Sequence, residues 1–353
     1  MESPIKPNED NKEINIPLLS ERSRLLVTDT FTEPPVVLKI EDSIIGTLGN
    51  FSASTGKAKS KKTFNISAIV ASALINDKVL GYYSSFSDNK RKILYVDTEQ
   101  SPFHCLKILK RVLLLAGLPL DIQPENLEFL SLRGSDPKTR ILIIEHVIEI
   151  TENLGLVIID GIRDLVYDIN SPSESTYFIT KLMQWTDEKH IHIHVVLHLN
   201  KGDDNTRGHL GTELNNKAET VLQVTKNEFD KNISSVTAMH IRDKDFEPFA
   251  FRINENSLPE FIEDYEHQKT GNSKGFDYAE VSEQKHRDAL ESLFSVSPLV
   301  SYSSLIEKLQ TSYAEAGHAF GINKAKKLKT FLENKRMILK EDKFYRFNPD
   351  FYY

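Results

Sequence analysis

The stretch from Gly49 to Thr63 (GNFSASTGKAKSKKT) most constrains what this chain can fold into. It predicts a strand over residues 50–55, a glycine turn at Gly56, a lysine-rich loop, and a helix that opens at Lys62-Thr63. Aligned with the phosphate-loop pattern G-x-x-x-x-G-K-[ST], the segment fits at every position except one, because Lys61 stands where the second glycine belongs. A phosphate loop joins a strand to a helix, so the segment favours an α/β fold.

The residue types in this loop have a chemical reason. A glycine turn lets backbone N–H groups converge on phosphate oxygens, and the helix N terminus adds partial positive charge. Lys62 is placed to reach the β- and γ-phosphates of ATP, and the Thr63 hydroxyl to ligate Mg²⁺. If position 61 requires a positive φ, a lysine there costs about 1–2 kcal/mol. The alternative to a phosphate loop is a basic surface loop that joins a strand and a helix.

ATP and Mg²⁺ are therefore the expected ligands. The residues expected to surround the nucleotide form one continuous run: Gly56, Lys57, Ala58, Lys59, Ser60, Lys61, Lys62, Thr63 and Phe64.

Composition limits where such a protein works. The chain has 353 residues and a mass of 40.3 kDa, which predicts one large domain and a smaller one. Its net charge of −7 means that any contact with nucleic acid has to be made by a local basic surface. A single cysteine, Cys105, excludes an intramolecular disulfide and suits a reducing cytoplasm. There is no secretory signal and no apolar run near 18 residues, so we expect a cytoplasmic protein that spans no membrane.

Predicted strands and helices alternate along most of the chain. The strands are expected at 35–45, 50–55, 92–97, 126–132, 154–160 and 191–199, then at 220–225, 235–241 and 249–253. The helices are expected after the phosphate loop and at 101–117, 140–153 and 174–189. This alternation predicts an α/β fold with a mostly parallel sheet, helices on both faces and an antiparallel edge.

The domain boundaries follow from the same pattern. We predict a flexible N-terminal tail over 1–34, an ATPase domain over 35–255, a polar linker over 256–283 and a second domain over 284–353.

Four candidate residues fall at the carboxyl ends of predicted strands, where α/β sheets bind ligands: Gly56, Glu99, Asp160 and His198. Asp160 follows an apolar run and is placed to hold Mg²⁺ through water. Glu99 is placed to orient or deprotonate the attacking water, and His198 to sense the γ-phosphate. Taken singly, three of these residues have a structural alternative. Asp160 would then cap a turn, Glu99 would be a solvated loop acid, and His198 would be a polar residue that closes a strand. The four coincidences together favour an ATPase.

These motifs resemble those of the RecA-like P-loop ATPases, particularly the hexameric plasmid-replication helicases and the replicative DNA helicases. The matching features lie within about residues 36–255 and are the phosphate loop, YVDTEQ, LVIID and VVLHLNK. The loop GKAKSKKT is also similar to a variant in predicted ATPases of Bacteroidetes mobile elements. The resemblance implies ATP hydrolysis coupled to DNA in a homo-oligomer such as a hexameric ring.

Two later segments extend this resemblance. RGHLGTELNNKAETVLQV resembles the stretch that leads into the late strands near the DNA-facing loops. MHIRDKDFEP resembles a late hairpin that presents basic residues to the nucleotide of the neighbouring subunit. The likeness implies that Arg242 and Lys244 are catalytic fingers acting in trans, with Arg207 a weaker candidate.

Four histidines, His190, His192, His194 and His198, raise the question of a metal site. Alternation along a strand puts the last three on one face. No cysteine or second histidine cluster completes a ligand set, so we expect no metal there.

The C-terminal domain is predicted to be a winged helix. Helices are expected over 286–294, after a cap at Ser303, and over 322–334, followed by a hairpin near 337–347. From Gln284 onward, 12 basic residues stand against 8 acidic ones. In the third helix the residues expected to face inward are Ile322, Ala325, Leu328, Phe331 and Leu332, and those expected to contact DNA phosphates are Lys324, Lys326, Lys327 and Lys329. The alternative is a protein-docking module.

The sequence therefore predicts a helicase-like ATPase coupled to DNA, serving replication or mobilisation of a mobile element. The alternative is a DNA-binding assembly or regulatory protein that uses nucleotide as a switch with negligible turnover, which Lys61 keeps open. A small-molecule kinase is disfavoured, because the sequence contains no visible lid or acceptor site.

Overall fold

The computed structural model describes residues 15–199, 206, 208–227, 230–263, 265, 278, 281–295, 297–315, 318 and 320–351. The chain divides into two compact units, residues 1–265 (unit 1) and residues 266–353 (unit 2).

The elements of unit 1 alternate as the sequence predicts. Its strands are β1 (Val36–Ile40), β2 (Ser43–Thr47), β3 (Phe51–Gly56), β4 (Lys78–Val79), β5 (Tyr82–Ser84), β6 (Lys92–Asp97), β7 (Leu127–Ser131), β8 (Leu154–Asp160), β9 (His192–His198), β10 (Thr220–Lys226), β11 (Ile233–Ile241), β12 (Phe249–Ile253) and β13 (Pro259–Ile262). Its helices are α1 (Ile16–Arg22), α2 (Lys62–Ile75), α3 (Pro102–Leu115), α4 (Pro137–Ile150), α5 (Pro172–Lys189) and α6 (Gly208–Lys217).

Nine strands form the central sheet, in the order β13-β12-β11-β10-β3-β9-β8-β6-β7. The pairs from β10 to β7 are parallel, and those from β13 to β10 are antiparallel. The predicted parallel sheet with an antiparallel edge is confirmed. Strand β3, which leads into the phosphate loop, lies between β10 and β9, so its carboxyl end is flanked by polar residues from neighbouring strands.

Helices cover both faces of this sheet, as predicted. Buried residues of α2 and α3 belong to one apolar cluster, and those of α4, α5 and α6 belong to the other. Strand β8 is buried along its whole length because its LGLVIID run faces both clusters. Each fully buried isoleucine or valine in such a strand stabilises the fold by about 1.5–3 kcal/mol. This packing holds the carboxyl ends of the strands in place.

The structure differs from the sequence prediction in several elements of unit 1. The single strand expected over 35–45 is a hairpin, because the chain turns at Glu41 (φ 51°), and its strands pair into a small sheet of order β2-β1-β5-β4. Helix α6 was not predicted. Strand β13 lies in the expected linker and pairs with β12, so unit 1 extends to residue 265. These elements depend on pairing with distant segments, which local patterns do not encode.

The N-terminal segment also differs from the expected tail in one respect. Residues 16–22 form α1, which Asn15 caps by accepting the N–H of Leu18 at 3.1 Å. Residues 16–21 of the helix and residues 23–34 after it are exposed.

Unit 2 contains α7 (Glu283–Ser295), β14 (Val300–Ser301), α8 (Tyr302–Glu315), α9 (Ile322–Asn334), β15 (Ile338–Glu341) and β16 (Phe344–Phe347). Its strands form one sheet of order β14-β16-β15. The predicted order of three helices and a closing hairpin is therefore present, with β14 as an additional strand.

Two expectations about α9 are wrong. Ile322 is 54% exposed, because it opens the helix, and the buried residues are Ala325, Leu328 and Leu332. The four lysines do not all project into solvent. Lys326 and Lys327 are exposed, whereas Lys324 and Lys329 are half-buried.

The half-buried lysines of α9 have partners within unit 2. Lys329 pairs with Glu333 at 2.5 Å and lies over the ring of Tyr345, and Lys324 lies over the ring of Tyr278 at 5.7 Å.

Across the described residues of both units, no helix combines the length and apolarity needed to cross a membrane.

Candidate nucleotide site

The phosphate loop has the backbone that the motif requires. A Cβ at Gly56 would lie 2.4 Å from the Val224 carbonyl oxygen and 2.5 Å from Ser60 Oγ, so only glycine fits. Lys59 (φ 64°) and Lys61 (φ 70°) adopt the left-handed conformation. Position 61 thus needs the positive φ that a glycine supplies in the standard motif, and its lysine costs about 1–2 kcal/mol.

The Lys61 side chain reaches the connection between β10 and β11. Its ammonium donates a hydrogen bond to the backbone carbonyl of Lys231, in the connection between β10 and β11. Partial burial and the nearby Lys226 ammonium lower the pKa of Lys61. The substituted loop position is therefore tied to the antiparallel part of the sheet.

Lys62 begins α2 and is buried. Its Nζ donates to the carbonyl oxygens of Gly56 at 2.8 Å and Lys57 at 3.1 Å, and to His198 Nδ1 at 3.0 Å. Burial lowers the pKa of Lys62 to about 8, although Asp160 and Glu99 act to raise it. The ammonium thus lies where the carboxyl ends of β3 and β9 meet.

Asp160 ends β8 beside the first turn of α2. Its Oδ2 accepts hydrogen bonds from Thr63 Oγ1 at 3.3 Å and from Tyr95 Oη at 2.9 Å. Burial, followed by the neighbouring Asp97 carboxylate, raises the pKa of Asp160 to about 7. A hydroxyl and a carboxylate at this spacing are hard oxygen donors of the kind that Mg²⁺ prefers.

Glu99 lies on the loop after β6, opposite His198. Its Oε1 is 3.6 Å from His198 Nε2. This interaction lowers the pKa of Glu99 most, and the charge of Lys62 adds to the effect. His198 thus lies between Lys62 on one ring nitrogen and Glu99 on the other.

Asp97 positions Glu99 and was not predicted as a site residue. Its Oδ1 accepts the backbone N–H groups of Glu99 at 2.9 Å and Gln100 at 2.7 Å. An aspartate that ends a strand two residues before the functional side chain is a common turn-forming pattern, and it was available in YVDTEQ.

These residues line one cavity of about 470 Å³ at the carboxyl edge of the sheet. Its wall on the side of α3 was not predicted and consists of His104, Lys107, Ile108 and Arg111. The Arg111 guanidinium lies 3.7 Å from the centre of the Phe64 ring, and burial lowers its pKa. The sequence signal for this wall was the spacing of His104, Lys107 and Arg111, which at i, i+3 and i+7 puts them on one face of α3.

The cavity suits a magnesium nucleotide. Lysines and the carboxylate residues Asp160 and Glu99 both line it, which matches the charges of phosphates and a divalent cation. The buried Ser60 Oγ, also in the lining, lacks a hydrogen-bond partner among the residues that the structure describes. Such a group is costly unless a ligand or water satisfies it.

The remaining predicted residues lie elsewhere. Arg242 and Lys244 are exposed just after β11, whose last residue, Ile241, pairs with Thr220 at the start of β10. That end of β10 is four residues, or about 13 Å, from Val224 beside Gly56. They therefore lie at the edge of the sheet opposite the phosphate loop. Arg207 lies outside the described residues.

The histidine strand holds no metal cluster in the described part of the chain. Both ring nitrogens of His192 and of His194 are engaged in hydrogen bonds within the core.

A family model described as an AAA domain matches residues 19–204, which is more than half of the chain, and the chain belongs to this family. With its phosphate loop, unit 1 is thus a P-loop ATPase domain. No curated protein matches the chain. Among solved structures, the crystal structure of the RadB recombinase is similar at 17% identity, covering 61% of this chain and 92% of that chain with a TM-score of 0.43.

Proposed function

We propose that the chain is a RecA-like ATPase that binds Mg²⁺-ATP at the phosphate loop and couples hydrolysis to DNA. It would act in the cytoplasm as a helicase-like homo-oligomer of a mobile element. The observation that carries the proposal is the convergence of Lys62, Asp160, Glu99 and His198 on one cavity at the carboxyl edge of the sheet.

Each residue has a distinct role in this proposal. Lys62 neutralises the β- and γ-phosphates, and Thr63 with Asp160 holds Mg²⁺. The cation supplies neutralisation of the developing phosphate charge. Glu99 accepts a proton from the attacking water, and Asp97 keeps its backbone in position. His198 contacts both Lys62 and Glu99, so it reports the γ-phosphate to the general base.

The nucleoside would lie along α3. Loop N–H groups up to Phe64 would bind the phosphates, and Ile108 and Arg111 of α3 line the same cavity. The planar guanidinium of Arg111 already stacks on an aromatic ring, which is the chemistry that also binds a base. Arg111→Ala should weaken the binding of a fluorescent ATP analogue without changing the hydrolysis rate at saturation.

Unit 2 would supply the DNA contact as a winged helix. The exposed Lys326 and Lys327 carry this part of the proposal, because Lys329 already pairs with Glu333. Replacing both exposed lysines by alanine should make the slope of log K against log[salt] for duplex binding shallower by about 2. An unchanged slope would favour the protein-docking alternative for this unit.

The decisive test is an ATPase assay with and without single- and double-stranded DNA. The proposal expects turnover that DNA stimulates, and Lys62→Ala should abolish nucleotide binding because it removes the charge on the phosphates. Tight ATP binding without turnover would instead support the alternative, a DNA-binding regulator that uses nucleotide as a switch. If Lys62→Ala binds nucleotide as the wild type does, both the proposed ATPase and the nucleotide-switch alternative are contradicted.

A further inference from the structure

Tyr95 does not line the nucleotide cavity, yet it contacts a residue that does. It belongs to β6 and is completely buried. Its hydroxyl donates a hydrogen bond to Asp160 Oδ2 at 2.9 Å. An ionised carboxylate has no proton to donate, so the tyrosine is the donor. Tyr95 can therefore act on a bound ligand only through a neighbour such as Asp160.

One oxygen of Asp160 accepts hydrogen bonds from two hydroxyl groups. Besides Tyr95, Thr63 Oγ1 donates to Oδ2 at 3.3 Å. In the proposed function the Thr63 oxygen also ligates Mg²⁺, so the position of this hydroxyl depends on the cation. The Tyr95 hydroxyl has no such second task. With Oδ2 held by Tyr95, the carboxyl group is restrained from rotating about its last bond.

The Tyr95 ring is itself fixed by its neighbour on β7. It stacks on Phe129, with the ring centres 4.4 Å apart and an angle of 8° between the ring planes. Tyr95 and Phe129 are also direct partners in the parallel pairing of β6 with β7. The hydroxyl is thus presented by a packed part of the sheet, where a side chain holds its position better than on a loop.

The same strand supports the proposed general base. Asp97 follows Tyr95 by two residues, so both lie on one face of β6. Asp97 accepts the backbone N–H of Glu99 at 2.9 Å, and it is the partner of Asp160 in the pairing of β6 with β8. One face of β6 therefore contacts Asp160 through Tyr95 and holds the Glu99 turn through Asp97.

We propose that Tyr95 is a positioning residue for the magnesium site, where its hydroxyl keeps the Asp160 carboxyl group in the orientation that binds the hydrated cation. Hydrogen bonds from outside the ligand set orient metal ligands, and their loss typically lowers metal affinity by about 10- to 100-fold. The inference rests on the proposed Mg²⁺-ATP site and assigns part of that site to a residue that does not line the cavity.

The test measures how Mg²⁺ changes the binding of a fluorescent ATP analogue to the full chain. Tyr95→Phe keeps the ring and removes the hydroxyl. It should raise the Mg²⁺ concentration that gives half of the cation-dependent gain in affinity by about 10-fold or more. Its affinity for the analogue in EDTA should stay that of the wild type, because the phosphate loop is unchanged.

Tyr82→Phe is the matched control. Tyr82 is also completely buried, and its hydroxyl donates to Asn65 Oδ1 at 2.8 Å. Neither Tyr82 nor Asn65 lines the cavity. Denaturant unfolding should show a similar loss of stability in both variants, but only Tyr95→Phe should require more Mg²⁺. A smaller increase in Tyr95→Phe, or an equal increase in Tyr82→Phe, would overturn the inference.

Phe129→Leu tests the same contact without removing the hydroxyl. Phe129 is half-buried, so the fold tolerates the change. Loss of the stacked ring should also raise the Mg²⁺ requirement, by less than Tyr95→Phe does. If Tyr95→Phe does not fold, an unchanged requirement in Phe129→Leu overturns the inference.

The wild type separates this inference from the proposed function. A wild-type chain that does not bind the analogue, or binds it without any effect of Mg²⁺, would contradict the proposed function and the role of Tyr95 with it. Normal Mg²⁺-dependent binding by the wild type, together with the same Mg²⁺ requirement in Tyr95→Phe, would contradict the role of Tyr95 alone.

Discussion

Strand β9, which lies beside β3, uses histidine in different ways in its interior and at its carboxyl end. His192 and His194 are completely buried between the helix layers. His198, on the same strand, is partly exposed at the nucleotide cavity. The contrast shows that the same residue type at regular spacing can be structural at one position and chemical at the next.

The interior histidines belong to a single directed chain of hydrogen bonds. The Thr47 carbonyl can only accept, so His192 Nδ1 donates to it at 2.9 Å and His192 Nε2 accepts from Ser52 Oγ at 2.7 Å. Ser52 Oγ then accepts from His194 Nδ1 at 2.7 Å, and His194 Nε2 accepts from Ser54 Oγ at 2.8 Å. This assignment holds for neutral rings, which burial favours, and it puts the proton of each ring on Nδ1.

Burial disfavours the charged form at both places, but the consequences at neutral pH differ. It lowers the pKa of His192 to about 4 and of His194 to about 3, which removes both from the physiological range. At the cavity it brings the pKa of Asp160 to about 7 and of Lys62 to about 8. Buried groups beside a cavity are thus close to changing charge at neutral pH, which is typical of functional sites.

The largest effect should come from breaking the interior chain. His194→Ala removes an acceptor from Ser54 and a donor from Ser52 and leaves a cavity, so the free energy of unfolding should fall by about 3–5 kcal/mol. His198→Ala, on the same strand, should change it by less than about 1 kcal/mol. Denaturant unfolding of the two variants checks this, and equal stabilities would contradict the distinction.

The pH dependence of stability tests the same chain. The folded-state pKa values of His192 and His194 lie below that of an unfolded histidine, so their stabilising contribution is present above about pH 6.5. It should be lost as pH falls towards 4. Between about pH 6.5 and 4, the decrease in the free energy of unfolding that this pair causes should be smaller in His194→Ala than in the wild type.

The next largest effect should fall on catalysis at the strand ends. Glu99→Gln should lower ATP turnover by about 10²-fold or more, the range for a lost general base, while ATP affinity and stability stay close to wild type. Steady-state hydrolysis and analogue binding check this. Glu128→Gln, an exposed change on β7, is the control. Normal hydrolysis by Glu99→Gln would make Glu99 a solvated loop acid.

A smaller effect should appear when the buried carboxylate is neutralised. The folded-state pKa of Asp160 is raised, so its contribution to stability is lost as pH rises from about 4 to 7. Asp160→Asn should therefore stabilise the metal-free protein by about 2 kcal/mol at pH 8, and hardly at all at pH 4. Mg²⁺-ATP should raise the Tm of the wild type only. The same pH profile in both proteins would contradict this.

The smallest effect should come from Lys61. Because its ammonium is held by the Lys231 carbonyl, Lys61→Gly should change ATP affinity by less than about threefold, a difference of under about 1 kcal/mol. Titration with a fluorescent ATP analogue measures this beside Lys62→Ala. A tenfold loss would show that Lys61 binds phosphate directly.

Much of the fold and part of the site were predictable from local patterns. The apolar run of β8, the phosphate loop and the strand-to-helix alternation predicted the parallel sheet, and the carboxyl-end rule brought Glu99, Asp160 and His198 together. Helix α6, the β1–β2 hairpin and the α3 wall with Arg111 were not predicted. Their positions depend on partners far along the chain, which a short window does not contain.

The sequence by itself determined which residues carry charge or polarity at the strand ends, because strand period and motif spacing are local properties. The tertiary structure decided what those residues do. Ser52 and His192 are 140 positions apart, yet their hydrogen bond fixes the tautomer of a buried ring. The tertiary structure also placed the Lys329 ammonium over the Tyr345 ring of β16, while Lys326 and Lys327 stay exposed. Burial and long-range partners set protonation and exposure, and only the folded chain brings them together.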